Sequence, residues 1–208
     1  RFTWLDQSRP GQTPSPLQTR RNGVLMTRKS ELQQEYLEVL DHAECLFSPD
    51  AVDCAVERCA RAVTDVYEHL NPLVLCVMIG GLRFTSDLLG HLRFALELDY
   101  LQVTRYGDET QGGALLWKKP PTESLRGRHV LLVDDILDEG VTLKALHAFS
   151  EAEGAASVAS AVLVDKARPE RALEADFVGL VAPDRFLFGE GMDYKGYGRN
   201  LRGLWAVA

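Results

Sequence analysis

Five short runs are apolar almost end to end: LVLCVMI (73–79), YLQV (100–103), VLLV (130–133), SVASAVLV (157–164) and DFVGLVA (176–182). A strand with one wet face alternates apolar and polar residues, whereas these runs offer apolar side chains to both sides. Both sides must therefore be covered. Segments of helical periodicity stand between several of the runs, so the pattern predicts a parallel sheet with helices on each face. Ser30 and Gln33 have capping-box spacing, and Leu32, Tyr36, Val39 and Leu40 share one helical face. Ser48-Pro49 opens a second helix, with Pro at its first position. There Val52, Val56, Cys59, Val63, Val66 and Leu70 recur at three- and four-residue steps, and Asn71-Pro72 ends it.

A chain of 208 residues with 46% hydrophobic composition is long enough for one sizeable core and small additions. No repeat or domain-scale linker interrupts it, which predicts a single α/β domain over residues 26–208. Residues 1–25 hold three prolines and many polar residues without a period, so they are expected to be a flexible N-terminal extension. A net charge of −7 gives no basic footprint for nucleic acid or an anionic membrane. The longest apolar run falls well short of the roughly 18 residues of a membrane span. Cys45, Cys54, Cys59 and Cys76 show no CxxC spacing. They read as small buried hydrophobes, three in helices and one in a strand, in a reducing compartment, which places the chain in the cytoplasm.

The stretch HVLLVDDILDEGVTLKAL, from His129, runs from apolar residues into Asp134, Asp135, Asp138 and Glu139, and a helical pattern resumes after Gly140. Ligands of open α/β sheets bind beyond the carboxyl ends of the strands, where Asp134 and Asp135 fall. Carboxylates accept from sugar hydroxyls or hold a metal. Gly140, Thr142 and the N-terminus of the following helix donate to an anion such as phosphate. That order of charges suits a phosphorylated sugar. A solvated acidic turn explains the same residues about as well when they are taken alone. A phosphate loop of the G-x-x-x-x-G-K-[ST] type and a GxGxxG fingerprint are both missing.

VLLVDDILDEGVTL resembles the phosphoribosyl-pyrophosphate signature of type I phosphoribosyltransferases, in its hypoxanthine-guanine, bacterial-like branch. Four further segments resemble that branch in the right order: VMIGG, RYGDETQGG, VLVDKARP and DFVGLVAPDRFLFGEGMDYKGYGRNL. The resemblance covers about residues 30–206. It implies a central parallel sheet flanked by helices, a mobile lid hairpin, and a small purine hood near residues 166–208.

The resemblance also implies roles. Asp134 and Asp135 would engage the ribose hydroxyls, directly or through Mg²⁺, and Asp138 would be the general acid/base at purine N7. Glu139, Gly140 and Thr142 would hold the 5′-phosphate. Gly80 and Gly81, in a loop where family members carry a non-proline cis peptide, would hold pyrophosphate. Lys166 would donate to the purine O6/N7, Phe186 would stack on the base, and the Leu187 backbone would meet its edge. Asp193 would bind a second Mg²⁺ and Arg199 would contact pyrophosphate. Arg105 and Tyr106 would begin the lid. Ile79 and Arg185 stand where many members have lysine, and Arg185 would remain a cationic donor near O6. The implied activity is conversion of hypoxanthine or guanine with phosphoribosyl pyrophosphate to IMP or GMP and pyrophosphate. The implied assembly is a homodimer or homotetramer.

A non-catalytic regulator that senses phosphoribosyl pyrophosphate while binding nucleic acid would want a basic face, against the charge of −7, and no purine-reading hood. A phosphorelay receiver would carry its acid pair near the first strand, whereas this pair lies past the middle of the chain.

Overall fold

The computed structural model describes residues 19–21, 24–105 and 115–208. A two-stranded pair, β1 (Thr19–Arg21) and β2 (Val24–Met26), precedes helix α1 (Arg28–His42). Thr27 caps α1. Its hydroxyl accepts from the Ser30 N–H, and the Ser30 hydroxyl accepts from the Thr27 N–H at 2.9 Å. Ser30 is thus the inner partner of the capping box rather than the cap expected from Ser30–Gln33. Helix α2 (Pro49–Tyr67) starts as expected, capped by the Ser48 hydroxyl.

The central sheet contains β4 (Leu73–Met78), β5 (Glu97–Arg105), β6 (Leu115–Lys119), β7 (His129–Leu137), β8 (Ser157–Asp165) and β9 (Phe177–Val181), in the order β6-β5-β4-β7-β8-β9. All neighbours are parallel except β6, an antiparallel edge strand on β5. Helix α3 (Leu82–His91) follows β4 and α4 (Val141–Ala152) follows β7. The doubly apolar run of β7 is now explained, whereas Tyr100 of β5 and Val178 and Val181 of β9 stay exposed. Leu131 and Val133 pack with α2 and α3, whereas Val130 and Leu132 pack with α4. Each of these four is fully buried, worth about 1.5–3 kcal/mol apiece relative to exposure.

The strand expected at Val130–Val133 runs on to Leu137 because β8 keeps pairing with it as far as Asp165. On its other side β4 stops at Cys76↔Val133. Asp134 and Asp135 therefore lie inside β7, at the step where its β4 neighbour ends.

A second, three-stranded sheet joins β10 (Leu187–Phe188), β11 (Leu204–Ala206) and β3 (Glu44–Phe47) in the order β10-β11-β3. Strand β3 has no periodic signal of its own and forms by adding to the edge of β11. It takes Cys45 out of the helices. Cys45 and Cys54 are exposed; only Cys59 and Cys76 are the buried hydrophobes expected of all four. Val66 and Leu70 also leave the expected apolar stripe: Val66 is exposed on α2 although its neighbour Tyr67 is buried, and Leu70 lies beyond the helix end and is exposed. Among the described residues no helix is long and apolar enough to cross a membrane.

Candidate active site

Three chain segments converge where β4 ends. Gly80 lies so close to Asp135 that a Cβ there would stand 1.9 Å from its Oδ2. A Cβ on Gly81 would stand 2.6 Å from the Val133 carbonyl, and one on Gly191 would stand 2.2 Å from the Gly80 carbonyl. The Met78–Ile79 peptide is cis, and the Gly81 N–H turns back to the Val77 carbonyl at 3.0 Å. Burial pushes the Asp134 carboxyl well above the usual carboxylate range, and the neighbouring Asp135 pushes it further. Burial also raises Asp135, which is opposed by its hydrogen bond to Asp134 and by the charge of Arg199. The pair is a place where a cation or hydroxyl donors would replace lost water.

Beyond β7 the chain meets the loop after β8. The Lys166 N–H donates to the Leu137 carbonyl at 3.0 Å, bringing its ammonium 2.9 Å from Asp138 Oδ2 and 3.6 Å from Asp184 Oδ1. Arg168 completes the cluster, with Nη2 2.8 Å from Asp184 Oδ1 and Nε 2.7 Å from Asp138 Oδ1. Nε and Oδ1 are close enough to attract but misaligned for a hydrogen bond, and Asp138 Oδ1 has no such partner among the described residues. The Arg168 guanidinium holds the Asp184 carboxyl below its ordinary range.

Between these groups Gly140 adopts φ +74°, a left-handed turn that spares the chain a Cβ. It starts α4 without a side-chain cap, so the first N–H groups of the helix are supplied by no capping oxygen. Thr142 is half-buried in that first turn. Glu139 is mostly exposed, reaches to 3.9 Å from Arg168, and accepts the Ala172 N–H on its carbonyl.

The three-stranded sheet carries the remaining residues. Phe186 is 53% exposed and meets Tyr194 edge-on with ring centroids 5.5 Å apart. The Tyr194 hydroxyl donates to Glu35 of α1 at 2.7 Å. Leu187 is buried in β10. Asp193 pairs with Arg199 at 2.5 Å and accepts the Gly196 N–H, and Arg199 also donates to the Gly191 carbonyl at 2.7 Å.

The expected residues thus form two connected groups along the end of β7. Gly80, Gly81, Asp134 and Asp135 gather on one side with the segment that holds Asp193 and Arg199. Asp138 and Lys166 gather on the other side, close to the start of α4. Arg185 is not among them: its guanidinium binds Glu44 and donates to the Val207 carbonyl at 2.9 Å. The Arg105 side chain and Tyr106 lie outside the described residues.

Sequence reasoning missed Arg168 and Asp184. Both lay inside quoted motifs, but nothing local distinguishes them from solvated charges. Among the described residues no three His, Cys, Asp or Glu side chains converge as a ready metal cage.

Against known proteins, a family model described as "Phosphoribosyl transferase domain" matches residues 50–195. The chain is 35% identical over 165 residues to a hypoxanthine-guanine phosphoribosyltransferase of Streptococcus pneumoniae, spanning 77% of this chain and 91% of that one. It is 34% identical over 163 residues to a hypoxanthine-guanine-xanthine phosphoribosyltransferase of Tritrichomonas foetus, spanning 77% and 89%. Among solved structures, a hypoxanthine phosphoribosyltransferase from Trypanosoma cruzi in a ternary substrates complex superposes with TM-score 0.75 at 30% identity. That match covers 81% of this chain and 97% of the other.

Proposed function

This chain belongs to the hypoxanthine-guanine phosphoribosyltransferase family of purine-salvage transferases, and from that premise we propose how its own residues carry the reaction. A 6-oxopurine attacks C1′ of phosphoribosyl pyrophosphate through N9, pyrophosphate leaves with the C1′–O bond electrons, and a purine 5′-mononucleotide results. The observation that carries this reading is the 2.9 Å pair between Lys166 and Asp138, set beside an uncapped helix start and a few residues from the Gly80–Asp135 contact. One end of the site suits a purine carbonyl, the middle a phosphate, the other end pyrophosphate.

Lys166 donates to O6 of the base, and Asp138 moves the proton at N7. Phe186 covers a face of the ring while the Leu187 backbone borders its edge. The base displaces Lys166 from Asp138, so the carboxylate becomes available as the base arrives. Glu139, Gly140, Thr142 and the α4 N–H groups hold the 5′-phosphate. Asp134 and Asp135 accept from the ribose hydroxyls. Gly80, Gly81 and Arg199 face the pyrophosphate, where positive charge stabilises the departing group. Arg105 and Tyr106 begin a lid that excludes water while positive charge develops at C1′.

Magnesium fits the acidic pair, because two buried carboxylates with raised affinity for protons also welcome a cation. Asp134 and Asp135 would hold one ion and Asp193 a second, and most of the ligands would come from substrate oxygens and water. When bound, it would neutralise charge on pyrophosphate.

Selectivity follows from Lys166. Adenine offers an amino group where the ammonium needs an acceptor, so rejection by about 10⁴-fold is expected. We further propose a cytoplasmic location and a homodimeric or homotetrameric assembly; exposed Leu98, Tyr100 and Leu116 near one sheet edge offer apolar surface for it. Light scattering on the purified protein reads the assembly. The deciding experiment for function incubates the protein with hypoxanthine, phosphoribosyl pyrophosphate and Mg²⁺ and follows IMP. Its failure to appear under any condition would favour a ligand-sensing regulator.

A further inference from the structure

Glu190 is a charged side chain only 1% exposed, adjacent to the segment that carries Asp193 and Arg199. It sits at φ +49°, a conformation that a residue with a Cβ keeps only where its surroundings impose it. Those surroundings are specific. The Glu190 N–H donates to the Leu201 carbonyl at 2.9 Å, and its carboxylate accepts the Gly203 N–H at 2.6 Å. Arg202 Nε donates to the same oxygen at 3.2 Å, and Arg202 is itself held by Asp53 of α2. These contacts staple the neck of the loop 191–202.

The second carboxylate oxygen faces elsewhere. Arg83, in the first turn of α3, donates through Nε to Asp87 of the same helix at 2.7 Å and brings that nitrogen 3.6 Å from Glu190 Oε2, a charge contact rather than a hydrogen bond. Arg83 follows Gly80-Gly81 by two residues, and its Cβ is 3.5 Å from the place a Gly191 Cβ would take. One buried carboxylate thus ties the neck of the Asp193–Arg199 loop to the helix that continues the Gly80–Gly81 turn. We propose that Glu190 is a positioning residue: it fixes the spacing between the two walls of the pyrophosphate end and so sets affinity for phosphoribosyl pyrophosphate, without touching the substrate.

The inference rests on the reading of that end as the pyrophosphate site, and the test separates the two. Glu190→Gln keeps the shape and an acceptor for the Gly203 N–H but removes the charge, while Arg83→Gln leaves the buried carboxylate and removes its outer tie together with the Arg83–Asp87 pair within α3. Steady-state rates are measured with phosphoribosyl pyrophosphate and hypoxanthine varied in turn, and phosphoribosyl pyrophosphate binding is measured by calorimetry. KM and Kd for phosphoribosyl pyrophosphate are expected to rise about tenfold in Glu190→Gln and about threefold in Arg83→Gln, with the hypoxanthine KM within about twofold of wild type. The phosphoribosyl pyrophosphate KM of the double variant should rise by less than the product of the two single effects, since the Arg83–Glu190 contact is shared by both changes. Glu190→Asp, which retains the charge, should recover part of the loss.

Unchanged phosphoribosyl pyrophosphate affinity in both single variants, or a parallel rise in both KM values, overturns the proposal. If Glu190→Gln does not fold, the same split in Arg83→Gln decides. A wild type that binds phosphoribosyl pyrophosphate but makes no IMP sinks the enzymatic reading, while the calorimetric comparison still decides the role of Glu190.

Discussion

Gly80 and Asp135 share space that only a missing side chain leaves open: the nearest Asp135 oxygen would be 1.9 Å from a Cβ on Gly80. Contact that short requires one of them to move, and Asp135 is buried within β7 with its neighbours fixed. The Gly80→Ala variant should therefore displace the acid pair, the turn, or both. Because a displacement of about 1 Å at a reacting centre costs roughly 100-fold, kcat/KM for phosphoribosyl pyrophosphate is expected to fall at least that far. Steady-state kinetics with a circular-dichroism check on folding tests it; near-wild-type activity would show that the turn can widen freely.

Asp138 lies 2.9 Å from Lys166 and 2.7 Å from Arg168, so positive charge already surrounds the proposed general acid/base. Asp138→Asn keeps the size and most contacts but cannot move a proton. Turnover should fall by about 100-fold or more, the usual worth of a general acid/base, while IMP binding by calorimetry stays within about threefold. A variant turning over at nearly the wild-type rate would remove Asp138 from proton transfer.

Lys166, the proposed donor to the base, is only 10% exposed and paired with Asp138. Replacing it by Gln supplies both a donor and an acceptor, so adenine's amino group no longer meets an unpaired cation. Hypoxanthine kcat/KM should drop about 100-fold, and the preference over adenine should narrow by about tenfold or more. Competition assays with both bases measure this. An undiminished preference would assign base selection to backbone groups around Leu187 instead.

The physical reach of the sequence is visible in these same residues. Strands apolar on both faces pointed to a covered parallel sheet, so β4, β7 and β8 were legible as central strands, as was the βα turn at Gly80-Gly81; β9 read the same way but lies at the sheet edge with Val178 and Val181 exposed. The acids of β7 stood out as a candidate site because charge at the end of a buried run needs a partner. Strand β3 was not, since Glu44–Phe47 is made by the β11 edge it pairs with and not by its own periodicity. Arg185 was expected near the base because it stands where many relatives have lysine, yet Glu44 on that unseen strand pairs with it. Arg168, Asp184 and Glu190 owe their importance to distant partners, and no local pattern announces such a pairing.

Cys59 and Tyr67 make the last prediction, one that concerns the core beneath α2. Burial pushes the Cys59 thiol up to about 12 and the Tyr67 phenol also to about 12, the latter helped by the charge of Asp176. In the unfolded chain they titrate near 9.0 and 10.0. A group that holds its proton more tightly when folded stabilises the native state fully below its unfolded pKa and loses that effect as pH climbs through the folded one. Denaturant midpoints should therefore fall progressively between about pH 9 and pH 12. Cys59→Ala should weaken the fold near pH 7 by about 1 kcal/mol through the small void it leaves, but flatten the alkaline fall. At pH 8 the exposed Cys45 and Cys54 should react at once with a thiol reagent, with Cys59 and Cys76 reacting only on unfolding. Four rapidly reacting thiols, or a midpoint constant to pH 12, would mean that water reaches this core in the native state.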